Sequence, residues 1–132
     1  MKAQPSRPKL PLLVIEDEPA VMAFIRAALE RHGYSVVPAV SGAQGLELLA
    51  ADRYLGIISD MRTPGRIGGA DVHAWLLQHQ PEMAARLLFT TGDTANQETA
   101  AILKATGVPY LEKPFRVQQL ISLLESLLAE AV

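Results

Sequence analysis

Short apolar runs in this chain repeatedly end in residues that can do chemistry. The run Leu12 to Ile15 ends in Glu16, Asp17 and Glu18; "YLGIIS" ends in Asp60; "ARLLFTT" ends in Thr90 and Thr91; "VPYLE" is followed by Lys113 and Pro114. A carboxylate in such a position can act as a nucleophile or as a hard metal ligand, and an ammonium beside it can hold an oxyanion. Singly, each residue has a plainer use. "EDE" ahead of Pro19 suits a helix N-terminus, Asp60 can cap a loop, Lys113 can be a solvated cation and Thr91 can satisfy a backbone amide. Only a shared location would give them a joint chemistry.

The elements that would position them alternate regularly. "PLLVIED" is continuously apolar from Leu12 to Ile15, as in a strand buried on both faces, and Pro19 suits the first turn of a helix. That helix is expected to turn Val21, Phe24, Ile25, Ala28 and Leu29 inward and to end at "RHG", with Gly33 free to take a left-handed conformation. "YSVVPAV" reads as a second strand, placed at an edge by Pro38, and "GAQGLELLAADR" as a helix facing Leu46 and Leu49 inward. "YLGIIS" and "ADVHAWLLQHQ" form a third unit, "ARLLFTT" and "TANQETAAILKAT" a fourth, "VPYLE" and "RVQQLISLLESLLAEA" a fifth. Five such units predict an α/β fold, a doubly wound parallel sheet spanning residues 10–132 behind a disordered leader at residues 1–9.

In an open parallel sheet, ligands bind at the carboxyl ends of the strands, beside the point where the winding reverses. The second strand offers nothing stronger than Ser41 there, so it belongs at an edge, as in the flavodoxin-like order 2-1-3-4-5. Neighbouring strands lie about 4.8 Å apart, which brings the carboxylates of Asp17 and Asp60 close together. At roughly 4 Å and an effective dielectric near 20, each like-charge contact costs on the order of 4 kcal/mol. Lys113 offsets one charge among Glu16, Asp17 and Asp60. A divalent ion would offset the rest, and an all-oxygen set with room for water suits Mg2+.

The fragments "VIEDEP", "IISDMRTPG", "FTTGD" and "YLEKPF", in this order and at these strand ends, resemble the receiver domain of two-component response regulators, of the chemotaxis-regulator kind. The resemblance runs from about Leu10 to Val132. It implies a phosphoacceptor signalling switch, with Asp60 taking a phosphoryl group from a histidine kinase or a histidine phosphotransfer protein. It implies a Mg2+ site made by Asp17, by Glu16 acting mainly through water, by Asp60 and by the backbone carbonyl of Arg62. Lys113 and Thr91 would hold phosphoryl oxygens, Tyr110 would turn inward as Thr91 moves, and the Lys113–Pro114 bond would be cis, as X-Pro bonds tolerate. The readout would be a protein-binding surface of the fourth helix, fifth strand and fifth helix, around Ala101, Tyr110 and "RVQQL", with a phosphorylation-linked dimer as one use of it. Departures from the family pattern are Glu16 where aspartate is commoner, Thr63 where methionine is common, and Arg66 and Ile67 in "GRIGG". Arg62 and Asp93 occupy positions that influence how fast the phosphoryl group hydrolyses.

Composition narrows the alternatives. The 132 residues are 49% hydrophobic, enough for one core and too few for two ordinary domains, and the net charge of −2 gives no field to grip nucleic acid. The absence of cysteine excludes disulfides and thiolate chemistry. Neither a signal peptide nor an apolar run of about eighteen residues is present, so no membrane role and a cytoplasmic location are expected. His32, His73 and His79 lack carboxylates at ligand spacing and read as solvated, and Trp75 as packing or a partly exposed helix residue. Leu120, Leu123, Leu124 and Leu127 read as core. The chain is expected to be a free-standing regulator, a relay or phosphate-sink protein, or the receiver part of a hybrid kinase or transcription factor, and no turnover enzyme beyond its own phosphorylation and dephosphorylation. The alternative is a small phosphatase of similar topology with Asp60 as nucleophile; a flavin carrier is disfavoured because "EDEP" would repel a phosphate.

Overall fold

The computed structural model describes residues 10–63 and 65–130; the expected leader at residues 1–9 lies outside the described residues. Five parallel strands, β1 (Leu12–Ile15), β2 (Val36–Ala39), β3 (Gly56–Asp60), β4 (Leu87–Thr91) and β5 (Tyr110–Glu112), form one sheet in the order β2-β1-β3-β4-β5. Helices α1 (Pro19–Arg31), α2 (Gly42–Ala51), α3 (Gly69–His79), α4 (Pro81–Ala84), α5 (Gln97–Thr106) and α6 (Val117–Glu130) connect and follow them. The α/β class and strand order match the expectation from sequence.

Strand alternation divides the core into two layers. Leu12, Val14, Ile58 and Leu88 pack with Ile25, Leu29, Leu120 and Leu124 of α1 and α6. Leu13, Ile15, Ile57, Leu87 and Phe89 pack on the other face with Leu49, Val72, Leu76 and Leu103 of α2, α3 and α5. Each such side chain, fully buried, contributes roughly 1.5–3 kcal/mol, so burial on both faces explains why β1 and β3 show no polar alternation. Pro38 pairs with Val14 on the edge strand β2, where its missing N–H deprives no second neighbour.

Two expectations need correction. Phe24 does not point into the core: it is 42% exposed and sets its ring edge-on against Phe115 at 5.8 Å, while Ile25, Ala28 and Leu29 fill the inward face of α1. The five strand-and-helix units do not account for every helix, because Pro81 opens an additional four-residue helix, α4, between "QHQ" and β4. Helix ends otherwise follow local chemistry. Gly33 sits just past α1 at φ +89°, and Gly107 closes α5 in the left-handed region at φ +68°, where residues with a Cβ are strained. The Ser41 hydroxyl accepts Gln44 N–H at the start of α2, and the Asn96 side chain accepts Thr99 N–H at the start of α5.

Candidate functional site

Register fixes what meets at the carboxyl end of the sheet. Ile15 lies between Ala39 and Ser59, Asp60 lies beside Thr90, and Thr91 lies beside Glu112, so the residues following β1, β3, β4 and β5 share one rim. Glu16, Asp60 and Lys113 continue the face that buries Val14, Ile58 and Leu111, since side chains two apart on a strand point the same way.

Lys113 is the hub. Its N–H is bonded to the Thr91 carbonyl at 2.8 Å, which holds the end of β5 against β4. Its Nζ donates to Glu16 Oε1 at 2.9 Å and to Asp60 Oδ2 at 3.1 Å, and lies 3.8 Å from Glu18 Oε1. Glu16 is only 1% exposed and Asp60 8%, whereas Asp17 and Glu18 face solvent. The other oxygen of Glu16, Oε2, accepts Glu18 N–H at 3.0 Å, and Asp60 Oδ1 accepts Arg62 N–H at 3.3 Å. The Lys113–Pro114 peptide bond is cis.

One ammonium does not balance this cluster. Burial raises the Glu16 pKa above the ordinary 4.5, and nearby Asp60 raises it further, against the lowering hydrogen bonds from Glu18 N–H and Lys113. Burial also lowers the Lys113 pKa, but the hydrogen bonds and charges of Glu16 and Asp60 outweigh it, and the group ends above 10.5. The two directions are compatible: the single cation is held charged by several acids, while each acid has only a share of one cation. One carboxylate oxygen from each of Glu16, Asp17 and Asp60 lies within 4.8 Å of the others. Three hard oxygen donors with an uncompensated charge, one of them on the solvent-facing Asp17, fit a small divalent cation.

The sequence missed part of this arrangement. Glu18 stands near Lys113 as a further acid, although "EDE" had signalled it. Thr91 is buried, and its hydroxyl accepts Asp93 N–H at 3.2 Å. Thr90, beside Asp60 in register, has a buried hydroxyl with no hydrogen-bond partner among the described residues. Tyr110 is 46% exposed and stands apart from Asp60, bordering a cleft of about 250 Å³ with Thr94, Ala100, Leu103 and Lys104. A second cleft of about 220 Å³ gathers Glu18, Asp60, Arg62, Thr91, Gly92, Asp93 and Lys113. The histidines stay outside: His32 and His79 bond helical carbonyls of Ala28 and Trp75, Trp75 stacks on His79, and burial lowers the pKa of His73.

Residues 12–125 match the model of the response regulator receiver domain. The chain belongs to that family. This receiver domain is 32% identical over 117 residues to the response regulator MprA of Mycolicibacterium vanbaalenii, covering 89% of this chain and 49% of that protein. The same identity holds with response regulator MprA of Mycobacterium avium, over 50% of its length. The chain thus spans about half the length of the curated relatives it matches. Among solved structures, a CheY-like receiver domain protein from Methanospirillum hungatei superposes with a TM-score of 0.83 at 22% identity, covering 94% of this chain and 97% of that one. A putative response regulator from Chloroflexus aurantiacus gives 0.81 at 26% identity, covering 92% and 99%. Receiver domains serve two-component signalling, whose phosphodonors are histidine kinases. Among the described residues, no helix is long and apolar enough to cross a membrane.

Proposed function

We propose that this receiver domain takes a phosphoryl group on Asp60 from a phosphohistidine, with Mg2+ bound, and uses it to change a protein-binding surface. The observation that carries the reading is the pairing of a nearly buried Asp60 carboxylate with Lys113 Nζ at 3.1 Å inside a cluster of acids that one lysine cannot neutralise. In the transfer, a carboxylate oxygen of Asp60 forms a bond to phosphorus as the bond from phosphorus to the imidazole nitrogen breaks, and the donor ring, protonated at its other nitrogen, leaves as neutral imidazole. Lys113 loses part of its pairing with Asp60 as that oxygen is esterified, and its ammonium is then free to hold a phosphoryl oxygen. Asp17 and Asp60, with Glu16 mainly through water and the Arg62 carbonyl, would hold Mg2+, which supplies charge neutralisation to the incoming phosphoryl group.

Thr91 is suited to report the event. Its hydroxyl only accepts among the described residues, from Asp93 N–H, so its own hydrogen is available to a phosphoryl oxygen. Moving Thr91 toward Asp60 opens room below Tyr110, whose ring lies outward beside the cleft formed with Thr94, Ala100 and Leu103. The resulting change falls on α5, β5 and α6, where a downstream protein or a second copy would read it. A cytoplasmic setting and the lack of turnover on external substrates follow from this role.

The test is to incubate the chain with Mg2+ and acetyl phosphate or phosphoramidate and to follow intact mass. Wild type gains one phosphoryl group that is base-labile, and Asp60→Asn gains none. Absence of the adduct in wild type, together with catalytic turnover of p-nitrophenyl phosphate, would instead establish the phosphatase alternative.

A further inference from the structure

Thr63 lies in the loop between β3 and α3, three residues beyond Asp60. Its hydroxyl joins two distant parts of the chain, donating to the Ile67 carbonyl at 2.6 Å and accepting the Gly42 N–H at 3.2 Å. Gly42 is the first residue of α2, and its N–H is one of the donors at a helix start that find no acceptor within the helix. Ser41 serves Gln44 N–H at that end, so the Gly42 donor is satisfied from another loop. The approach depends on glycine: a methyl group at Gly42 would overlap the Ile67 carbonyl oxygen, and one at Gly68 would lie 2.9 Å from the Met61 carbonyl oxygen.

These contacts bracket Arg62. On its amino side, Arg62 N–H is tied to Asp60 Oδ1 at 3.3 Å, and the Met61 carbonyl accepts Gly69 N–H at 3.0 Å. On its carboxyl side comes the Thr63 hydroxyl, anchored to α2 and to Ile67. We propose that Thr63 is a positioning residue, which cross-links the loop after β3 to the first turn of α2 and so fixes the Arg62 backbone beside the acidic cluster. The inference rests on the reading of that cluster as a cation-assisted acceptor site, and it adds a determinant of how tightly the cation is held.

Valine at position 63 keeps the branched shape but can neither donate nor accept, whereas serine keeps both hydrogen bonds. In metal-free protein, the Gly42 amide is protected from hydrogen exchange in wild type and in Thr63→Ser, and its protection falls by roughly tenfold in Thr63→Val. Mg2+ titration then gives a dissociation constant raised about three- to tenfold in Thr63→Val and within about twofold of wild type in Thr63→Ser, at the low end of the effect of outer-shell partners. An unprotected Gly42 amide in wild type overturns the proposal without any variant, which covers the case of a Thr63→Val protein that fails to fold. Equal Mg2+ affinity in Thr63→Val and wild type, or equal weakening in Thr63→Ser, overturns it as well. If wild type takes up no Mg2+ while Gly42 protection still follows the hydroxyl, the acceptor-site reading fails and the positioning role falls with it, although the tether itself stands.

Discussion

Replacing Glu16 with glutamine should change stability little without metal and markedly with it. Glutamine is nearly isosteric but offers one acceptor oxygen where Glu16 uses two, so the substitution removes the charge and one of the two hydrogen bonds, that from Glu18 N–H or that from Lys113 Nζ. At an effective dielectric near 20, the Glu16–Lys113 contact of 2.9 Å is attractive by about 6 kcal/mol. Repulsion from a neighbouring carboxylate at up to 4.8 Å returns roughly 3.5 kcal/mol, and desolvation of a 1%-exposed carboxylate costs several kcal/mol more. The balance makes ionised Glu16 a net burden of about 1–2 kcal/mol, in agreement with its raised pKa. The lost hydrogen bond costs about 1 kcal/mol in return, so Glu16→Gln in EDTA should melt within about 4 °C of wild type. A divalent cation and a unit charge at about the 4.8 Å spread of the cluster attract by roughly 1.7 kcal/mol even in bulk water, so the variant should bind Mg2+ about 20-fold more weakly. Thermal unfolding followed by circular dichroism across a Mg2+ titration would show the two melting temperatures diverging as Mg2+ rises, with wild type gaining more. The pH dependence has a fixed sign. The folded Glu16 pKa lies above 4.5, so the native state binds the extra proton, and the contribution of Glu16 to wild-type stability rises as pH falls through the folded pKa toward 4.5. Glu16→Gln lacks that rise. A variant that melts more than about 8 °C below wild type in EDTA, or one with unchanged Mg2+ affinity, would refute the electrostatic account of the cluster.

Other substitutions probe the same frame. Lys113→Met removes the cation from Glu16 and Asp60 and should lower metal-free stability by about 3 kcal/mol, with part of the loss recovered in saturating Mg2+; a melting temperature equal to wild type in EDTA would contradict the hub role. Gly69→Ala places a methyl group 2.9 Å from Phe89 Cε1 and 3.2 Å from the Asp60 carbonyl oxygen, and should cost about 1–3 kcal/mol by chemical denaturation. Gly92→Ala meets nothing within 4 Å and should be neutral, so equal effects from the two would show that crowding is not the cause.

Much of the fold was readable because its information is local. Continuous apolar runs such as Leu12–Ile15 announce strands buried on both faces, and Pro38 marked the edge before any pairing was known. The acidic and basic strand ends could be assembled because a parallel sheet brings every carboxyl end to one rim. Contacts that depend on tertiary placement were not readable. Phe24 has the helical spacing of a core residue, yet it packs edge-on against Phe115 beside the loop following β5. Thr63 reaches Gly42, 21 residues away, through a hydroxyl whose partner no periodicity reveals. The short helix at Pro81–Ala84 is too brief to show a period.

The central claim is that Asp60 is the covalent phosphoacceptor, and borohydride trapping tests it at the atom concerned. Reduction of an acyl phosphate converts the aspartate to homoserine, which peptide mapping locates. After incubation with acetyl phosphate and Mg2+, homoserine should appear at position 60 of the wild-type chain, and it should be lost in EDTA. Homoserine at another aspartate instead, or a phosphoryl adduct on Asp60→Asn as abundant as on wild type, would contradict the account.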